Sequence, residues 1–326
     1  MARRRRGREV DGILLLDKPL GASSNYVLQQ MKRLYGAAKA GHTGALDPLA
    51  TGMLPICFGE ATKFSQFLLE ADKHYQTTAK LGVKTASGDA EGEVIEQRPI
   101  VDVTADRVCQ LLEQHFNGEI TQTPSMYSAL KHQGQPLYKL ARQGITVEVK
   151  KRQVTIYRIE LLDFRGDELD LDIQCSKGTY IRSIVEDLGE LLGCGAYVSA
   201  LRRLDSGPYK ADMMRTVEQM QDIAVQAAAL TPEGEGVEGE NKDVQWALDQ
   251  VLLPPWTAVA HLPILKVNDD QAQLIKNGRP VALEEPLDFS ELALIRIIAG
   301  AEEAFLGLGE VSEDGVLTPR RLMKTQ

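Results

Sequence analysis

The chain has 326 residues, of which 43% are hydrophobic and 25% charged, and its net charge is −9. This composition is typical of a globular protein with a core of normal size, and it excludes fibrous and disordered chains. The apolar run at residues 13–16 is shorter than a signal-peptide core (about 7–15 residues) or a membrane helix (about 20 residues). We therefore expect a cytoplasmic protein without a membrane-spanning segment.

The cysteine residues give no sign of a metal site or of a disulfide framework. Cys57, Cys109, Cys175 and Cys194 are scattered, no pair has CxxC spacing, and the five histidine residues do not cluster with them. We expect reduced thiols that are partly buried in the core, and no bound metal ion.

Charge is distributed unevenly along the chain. Residues 1–210 contain 26 acidic and 28 basic side chains, whereas residues 211–326 contain 20 acidic and 9 basic ones. The N-terminal two-thirds is therefore mildly basic, with clusters at residues 3–8 and 150–152. This asymmetry is compatible with RNA contact through one face, although charge runs are usually solvated surface.

Apolar periodicity predicts a folded region over residues 11–250, after a disordered basic stretch at residues 1–10. Residues 103–116 have helical spacing. Residues 76–81 alternate between apolar and polar side chains, and residues 168–175 do so more regularly. We expect a helix at the first of these segments and half-buried strands at the other two.

A second helix is predicted directly after the strand at residues 168–175. Apolar residues recur at helical spacing from Ile181 to Leu192, Ser183 and Glu186 form a capping-box pattern, and Gly193 ends the helix. Strands and helices mix without strict alternation, which favours an α+β fold over a doubly wound sheet.

Three further segments stand apart from this periodic region. Residues 122–152 are irregular and basic, and they indicate an exposed excursion from the core. Residues 231–243 are rich in Gly and Glu, which is typical of a flexible acidic linker. Residues 254–326 follow a proline break, and strand-like runs at 292–298 and 304–308, with a turn at 276–280, predict a small β-rich domain.

A glycine-rich segment is the first candidate for chemistry. It has the sequence GHTGALDPLATG at residues 41–52, and its three glycine residues allow a ligand or another backbone to come close. Asp47 can face a cleft there. Alternatively, it can be a helix N-cap followed by Pro48 at the first helical position.

Two other segments carry candidate side chains. Arg182 lies at a strand-to-helix junction, where it can pair with a carboxylate or phosphate or be an ordinary surface arginine. Tyr75 precedes an alternating run, where it can stack on a base, worth about 1–3 kcal/mol, or pack in the core.

Together, and in this order, these segments resemble the tRNA pseudouridine-55 synthase family. The similarity covers most of residues 11–210, and five ordered blocks exclude a chance match. The blocks are GILLLDKP (12–19), GHTGALDPLATGMLPICFGEATK (41–63), YSALKHQGQPLYKLARQG (127–144), GTYIRSIVEDLGELLG (178–193) and LRRLDSGPY (201–209). The tail from about residue 256 resembles, more weakly, the small RNA-binding PUA-type domain of bacterial members.

This resemblance implies the pseudouridine synthase fold, a mixed and mainly antiparallel sheet with flanking helices, followed by a PUA-like domain. It implies isomerisation of one tRNA T-loop uridine on a flipped-out base, with Asp47 as the catalytic carboxylate and no cofactor. Arg182 would pair with Asp47 and meet the RNA backbone. The other substrate-binding residues would be His42, Tyr75, Tyr180 and Leu201, and further RNA contacts would come from Lys63, Asp89, Lys131, Arg142 and Arg202.

The same resemblance implies that residues 122–152 close on the RNA like a thumb. It also implies a monomer that acts on the tRNA T-arm without an obligate protein partner. Two alternatives stay open. One is a guide-dependent rRNA pseudouridylase, which needs partner proteins, and the other is a non-catalytic RNA-binding protein or tRNA-folding helper. A folding role can also accompany catalysis.

Overall fold

The computed structural model describes residues 7–230, 242–283 and 294–324. The strands of these residues are, in chain order, β1 (Gly12–Lys18), β2 (Ala40–His42), β3 (Ala50–Phe58), β4 (Lys73–Leu81), β5 (Val83–Thr85), β6 (Val94–Gln97), β7 (Gly118–Gln122), β8 (Lys131–His132), β9 (Gln135–Pro136), β10 (Arg152–Arg165), β11 (Glu168–Cys175), β12 (Ala196–Ser206), β13 (Arg215–Thr216), β14 (Ile264–Val267), β15 (Val281–Ala282), β16 (Leu294–Ala299), β17 (Ala304–Val311) and β18 (Val316–Leu322).

The α-helices of the described residues are α1 (Ser24–Leu34), α2 (Ser65–Glu70), α3 (Ala105–His115), α4 (Leu137–Arg142), α5 (Ile181–Leu192), α6 (Val217–Leu230), α7 (Lys242–Asp249) and α8 (Asp269–Lys276). Short 3-10 helices lie at Gly59–Phe64, Ala211–Met213 and Pro255–Val259. The predicted helix at 103–116 and the strands at 76–81 and 168–175 are confirmed as α3, β4 and β11.

The main sheet has nine strands within the described residues, in the order β13-β1-β3-β12-β4-β11-β10-β7, with β2 paired to β3. Its pairs are antiparallel except β12 with β3 and β1 with β13. The predicted α+β fold with a mixed, mainly antiparallel sheet is confirmed. The parallel β12–β3 pair lies near the centre of the sheet and brings the start of β3 and the middle of β12 to the site described below.

Helices cover the two halves of this sheet and bury separate apolar clusters. Helices α3 and α5 pack on β4, β10, β11 and β12, and α1, α6 and α7 pack on β1 and β3. Burial of apolar area at about 25 cal/mol per Å² makes these clusters the main stabilising contribution. The loops that leave β2, β4 and β11 therefore start from rigid strands.

The C-terminal domain is a five-stranded sheet in the order β14-β16-β17-β18-β15, with its own apolar core. The predicted runs at 292–298 and 304–308 correspond to β16 and β17, although residues 292 and 293 lie outside the described residues. Ala258, Val259 and Leu308 share a core with Phe64 and Leu68 of the preceding domain. The two domains are thus packed together through apolar side chains.

The prediction of disorder over residues 1–10 is wrong for the part that the structure describes. Val10 is buried, and Arg8 donates to the Tyr35 carbonyl and forms two hydrogen bonds with Asp249, at 2.7 and 2.6 Å. The acidic partner follows Arg8 by more than two hundred residues, so local composition could not reveal it. Residues 1–6 lie outside the described residues.

The predicted capping box of α5 is also wrong. The helix begins at Ile181, so Ser183 already lies within its first turn and donates to the Thr123 carbonyl at 3.1 Å. Gln122 instead holds the helix start, since its side chain bonds both the N–H and the carbonyl of Tyr180. Gly193 ends the helix in the left-handed conformation, as predicted (φ 84°).

Residues 122–152 leave the sheet between β7 and β10 and contain the β8–β9 hairpin and α4. Of the predicted linker at residues 231–243, residues 231–241 lie outside the described residues, and α7 begins at Lys242. No helix in the described ranges is long and apolar enough to span a membrane.

Candidate active site

The loop that carries Asp47 joins β2 to β3 and is fixed by backbone contacts on both sides. The Ser24 hydroxyl exchanges hydrogen bonds with both backbone groups of Leu46, and the Gly21 N–H donates to the Pro48 carbonyl at 2.8 Å. The Ala50 N–H donates to the Asp47 carbonyl at 3.0 Å, which closes a turn into β3. The helix-cap alternative is therefore wrong, because a strand and not a helix follows Asp47.

Asp47 faces a cavity of about 270 Å³ between this loop, the middle of the sheet and the start of α5. Strand ends, a helix start and the excursion after β7 all contribute to its wall. The lining residues are Gly44, Ala45, Leu46, Asp47, Ala50, Leu69, Lys73, Tyr75, Ser128, Ala129, Ser176, Gly178, Thr179, Tyr180, Ile181, Arg182, Leu201 and Arg203.

Arg182 is the main charge partner of Asp47. Its Nη2 lies 3.1 Å from Asp47 Oδ2, and its Nη1 lies 3.0 Å from Asp89 Oδ2. It also donates to the carbonyls of Ser87 and Tyr127, both at 3.0 Å. The surface-arginine alternative is wrong, because Arg182 is 5% exposed. These contacts bind the guanidinium to the protein and disfavour the expected contact with an RNA backbone.

The Asp47 carboxyl has a pKa above its ordinary value, because burial in the cleft outweighs the lowering by Arg182. Asp89 raises this pKa further, and Lys18 lowers it. The pairing with Arg182 thus offsets only part of the desolvation. Asp47 is poised as a carboxylate that gains basicity from its surroundings, which suits a nucleophile or a base.

The cavity brings together four of the predicted substrate-binding residues besides Asp47. Tyr75 on β4 is half-buried, and it both packs on the core cluster and lines the cavity, so its two alternatives are compatible. Leu201 on β12 pairs with Ala50 of β3, next to the Asp47 turn. Tyr180 stands at the start of α5, and the Arg152 guanidinium lies 5.3 Å from its ring centroid.

Sequence reasoning missed three buried cations around the cavity. Lys18 donates to the carbonyls of Pro19, Ala22 and Pro48, and so it fixes the backbone of the Asp47 turn. Burial lowers its pKa to about 8. Lys73 donates to carbonyl groups at the end of α2, and burial likewise lowers its pKa to about 8.

The third cation is Arg203, which is 1% exposed. It donates to the carbonyls of Met53 at 2.7 Å and Gly44 at 2.8 Å. Gly52 makes this approach of β3 to β12 possible, because a Cβ there would lie 2.1 Å from the Arg203 carbonyl oxygen. Lys18 and Arg203 both lie in the quoted sequence blocks, so their position in those blocks was the only signal.

Two predicted contacts lie behind the cavity rather than in it. Asp89 is 3% exposed and binds Ser87 and Arg182, and this burial disfavours the predicted direct contact with RNA. His42 does not line the cavity; burial, and then Arg203, lower its pKa. Its Nδ1 is buried without a hydrogen-bond partner among the described residues.

The remaining predicted RNA contacts lie elsewhere. Lys63 bonds Glu60 and the Leu322 carbonyl, so it joins the two domains. Arg202 forms a bidentate pair with Asp17 at 2.6 and 2.9 Å. Lys131 and Arg142 are exposed on the β8–β9 hairpin and α4.

Within the described ranges, no group of three or more His, Cys, Asp or Glu side chains could hold a metal ion. The charged side chains that line the cavity are one carboxylate and three cations, namely Asp47, Lys73, Arg182 and Arg203. This set suits chemistry in which a carboxylate acts on a polar ring. Tyr75 and Tyr180 offer aromatic faces to such a ring.

Family models match nearly the whole chain. A model of the TruB family pseudouridylate synthase N-terminal domain matches residues 32–181, and a model of the tRNA pseudouridylate synthase B C-terminal domain matches residues 182–260. A model named Pseudouridine synthase II TruB, C-terminal, matches residues 263–323. The first match contains Asp47, Tyr75 and Tyr180.

Curated relatives and solved structures agree with these matches. The tRNA pseudouridine synthase B of Tolumonas auensis is 52% identical over 99% of this chain and 96% of the relative, and that of Vibrio parahaemolyticus is 50% identical over 99% and 98%. The crystal structure of a Cbf5-Nop10-Gar1 complex is similar at 27% identity with a TM-score of 0.68, over 93% of this chain and 79% of that one. Half of all positions are thus identical in full-length relatives, and the chain belongs to the TruB family of pseudouridine synthases.

Proposed function

We propose that this chain converts the T-loop uridine at position 55 of tRNA to pseudouridine, with Asp47 as the catalytic carboxylate. The observation that carries the proposal is a carboxylate in a cavity with an aromatic face, held at 3.1 Å by a buried arginine. Full-length relatives named tRNA pseudouridine synthase B support the substrate.

The reaction is an isomerisation that balances without a co-reactant. The N1–C1′ bond of the uridine breaks, the uracil turns, and a C5–C1′ bond forms. C5 loses a proton and N1 gains one, so nothing is oxidised and no group is donated. Asp47 can attack the sugar, attack the ring or remove a sugar proton, and in each route it acts in its ionised form.

The target uridine must leave the T-loop stack before it reaches Asp47, at a cost of a few kcal/mol. Stacking on Tyr75 offsets this cost by about 1–3 kcal/mol. Leu201 and Tyr180 complete the wall around the ring. Recognition then depends on loop shape and splayed bases, as is usual for RNA, so a T-arm hairpin is a sufficient substrate.

Residues 122–152 form the part of the cavity wall suited to close on the RNA. Ser128 and Ala129 line the cavity, and the Tyr127 carbonyl accepts from Arg182, so the base of this excursion is tied to the catalytic pair. Lys131 and Arg142 are exposed beyond it and are proposed to contact phosphates. The C-terminal sheet is proposed to be a PUA-like RNA-binding domain.

The protein is proposed to act as a monomer in the cytoplasm without partner proteins. Its similarity to the Cbf5 chain of a Cbf5-Nop10-Gar1 complex leaves a guide-dependent enzyme as the competing case. Turnover of bare tRNA by the purified chain alone separates the two cases. A requirement for added proteins or guide RNA would overturn the stand-alone assignment.

A secondary role in tRNA folding is proposed on the same contacts. Refolding of denatured tRNA, followed in the presence of Asp47→Asn, isolates this role from catalysis. The variant accelerates refolding if the role exists, and an unchanged refolding rate excludes it.

Release of tritium from T-arm RNA labelled at uridine C5 tests the proposed reaction. We expect release by the wild type and by Asp106→Asn, a matched change of an exposed aspartate on α3, and none by Asp47→Asn. RNA binding without release by any of the three proteins would refute the enzymatic assignment and favour a binding protein.

A further inference from the structure

Arg203 is the largest side chain that the fold buries completely, and it faces the candidate active site. It lies on β12 directly opposite Tyr75 of β4 and Gly52 of β3. An arginine is normally buried only with a charge partner, because desolvation of an ion costs several kcal/mol. The burial of Arg203 therefore needs a functional or structural reason.

No carboxylate of the described residues forms an ion pair with Arg203, whereas Arg182 and Arg202 each form one. Its Nε and Nη2 donate to the carbonyls of Met53 and Gly44, which satisfy hydrogen bonds but leave the charge uncompensated. Its Nη1 lies against Gly44, on the cavity side of the Asp47 loop. Tyr75 lies directly opposite Arg203 on β4, and burial raises the pKa of Tyr75 although the charge of Arg203 lowers it.

Lys73, which lies on β4 two residues before Tyr75, is arranged in the same way. It lines the cavity, is 8% exposed and donates to the carbonyls of Leu68 and Leu69. The described residues offer it no ion pair either. The cavity thus holds one carboxylate, which shares Arg182 with Asp89, and two further buried cations without an ion pair among the described residues. A ligand that stays neutral would not balance this positive charge, whereas a ligand that becomes negatively charged would.

We propose that Arg203 stabilises the negative charge that develops on the uracil ring when its N1–C1′ bond breaks. The proposal rests on the pseudouridine synthase activity proposed above. When the bond breaks, its electron pair stays with N1 and spreads over the ring oxygens, while the sugar carbon is left electron-poor. The pair is returned when C5 bonds to C1′ and the C5 proton leaves, so the charge is transient.

A guanidinium is only a donor and stays charged, so Arg203 stabilises an anionic ring much more strongly than a neutral one. Preorganised donors of this kind lower a barrier without tightening ground-state binding.

The test compares Arg203→Lys and Arg203→Met with the wild type in single-turnover tritium release and in T-arm RNA binding. Removing one such donor typically lowers the rate by about 10²–10³-fold. We expect that loss in Arg203→Met, a smaller loss in Arg203→Lys, and RNA affinity within about threefold of the wild type. Arg8→Met is the matched control, because it removes a structural arginine remote from the cavity and leaves the rate unchanged.

A 5-fluorouridine substrate separates charge stabilisation from misfolding. Fluorine withdraws electrons and stabilises the ring anion, so it compensates for a missing cation. The quantity measured is the rate of N-glycoside loss on 5-fluorouridine RNA divided by the rate on uridine RNA. We expect this ratio to be about tenfold higher in Arg203→Met than in the wild type, which is the equivalent of one electrostatic contact. An unchanged ratio, or equal rates for Arg203→Lys and Arg203→Met with intact melting curves, would overturn the proposal. An inactive wild type would refute the proposed function itself.

Discussion

Replacement of Arg182 by methionine removes a cation that two carboxylates share. Its side chain is 6% exposed, and its nitrogens lie 3.1 Å from Asp47 and 3.0 Å from Asp89. Methionine fills much of the same space without charge. Loss of one partner from a buried pair costs about 3–5 kcal/mol. At about 2–4 °C per kcal/mol for a chain of this size, the melting temperature falls by roughly 6–20 °C.

The same substitution changes the charge of Asp47. A neighbouring guanidinium lowers a carboxyl pKa by about 1–3 units, whereas Asp89 raises that of Asp47. In Arg182→Met the pKa of Asp47 therefore moves further above its ordinary value. The acid limb of the pH–rate profile therefore shifts to higher pH, as measured by single-turnover tritium release on the T-arm hairpin.

The double variant Arg182→Met with Asp89→Asn is the control. Loss of Arg182 leaves Asp89 unpaired, and Asp89→Asn removes that unpaired carboxylate. The acid limb therefore returns toward lower pH, and about 1–3 kcal/mol of stability is regained. An acid limb at the same pH in the wild type and in Arg182→Met would refute the assignment of Arg182 to the charge of Asp47. A double variant that is less stable than the single one would refute the shared-cation argument.

Three further predictions concern titration and domain packing. The rate falls as the pH drops through the raised pKa of Asp47, with a midpoint above the ordinary value of about 3.9; a midpoint below it in the pH–rate profile contradicts this. Burial raises the pKa of Glu186 from 4.5 to about 7, so the native state binds an extra proton between these values and stability falls as the pH rises through them. Glu186→Gln abolishes this fall and raises stability at higher pH by up to about 3 kcal/mol in urea unfolding; an unchanged pH dependence contradicts it. Lys63→Met breaks the contacts to Glu60 and Leu322 and costs up to about 1 kcal/mol, seen as faster hydrogen exchange in β18; unchanged exchange contradicts it.

Local patterns predicted the regular elements well. The alternation at residues 168–175 and the helical spacing at residues 103–116 each depend on one buried face, and the structure contains both elements. Gly193 ended α5 as predicted, because a left-handed cap favours glycine and is recognisable locally. The ordered blocks contain Asp47 and Arg182, and the resemblance implied that these two residues pair, whereas Tyr75 lies outside the blocks.

The errors share a physical cause, which is contact across long chain separations. Asp47 carries the signature of a helix start, but pairing of β3 with β1 and β12 imposes a strand there. Ser183 looks like a cap, but Gln122 holds that terminus from another strand. Arg8 lies in a stretch that looks disordered, but its partner Asp249 belongs to a distant part of the chain. None of these partners lies within the window that a local pattern samples.

In the proposed reaction, the buried cations serve catalysis rather than stability. Asp47 would carry a negative charge while a second negative charge develops on a ring in a cavity of about 270 Å³. Two such charges about 6 Å apart repel by roughly 3 kcal/mol at an effective dielectric constant of 20. Arg182 is already committed to Asp47 and Asp89, so it cannot offset the second charge as well. Carbonyl groups hold Arg203 without neutralising its charge, so this charge can stabilise the ring anion when it forms. A carboxylate partner would neutralise the charge of Arg203 in the resting protein.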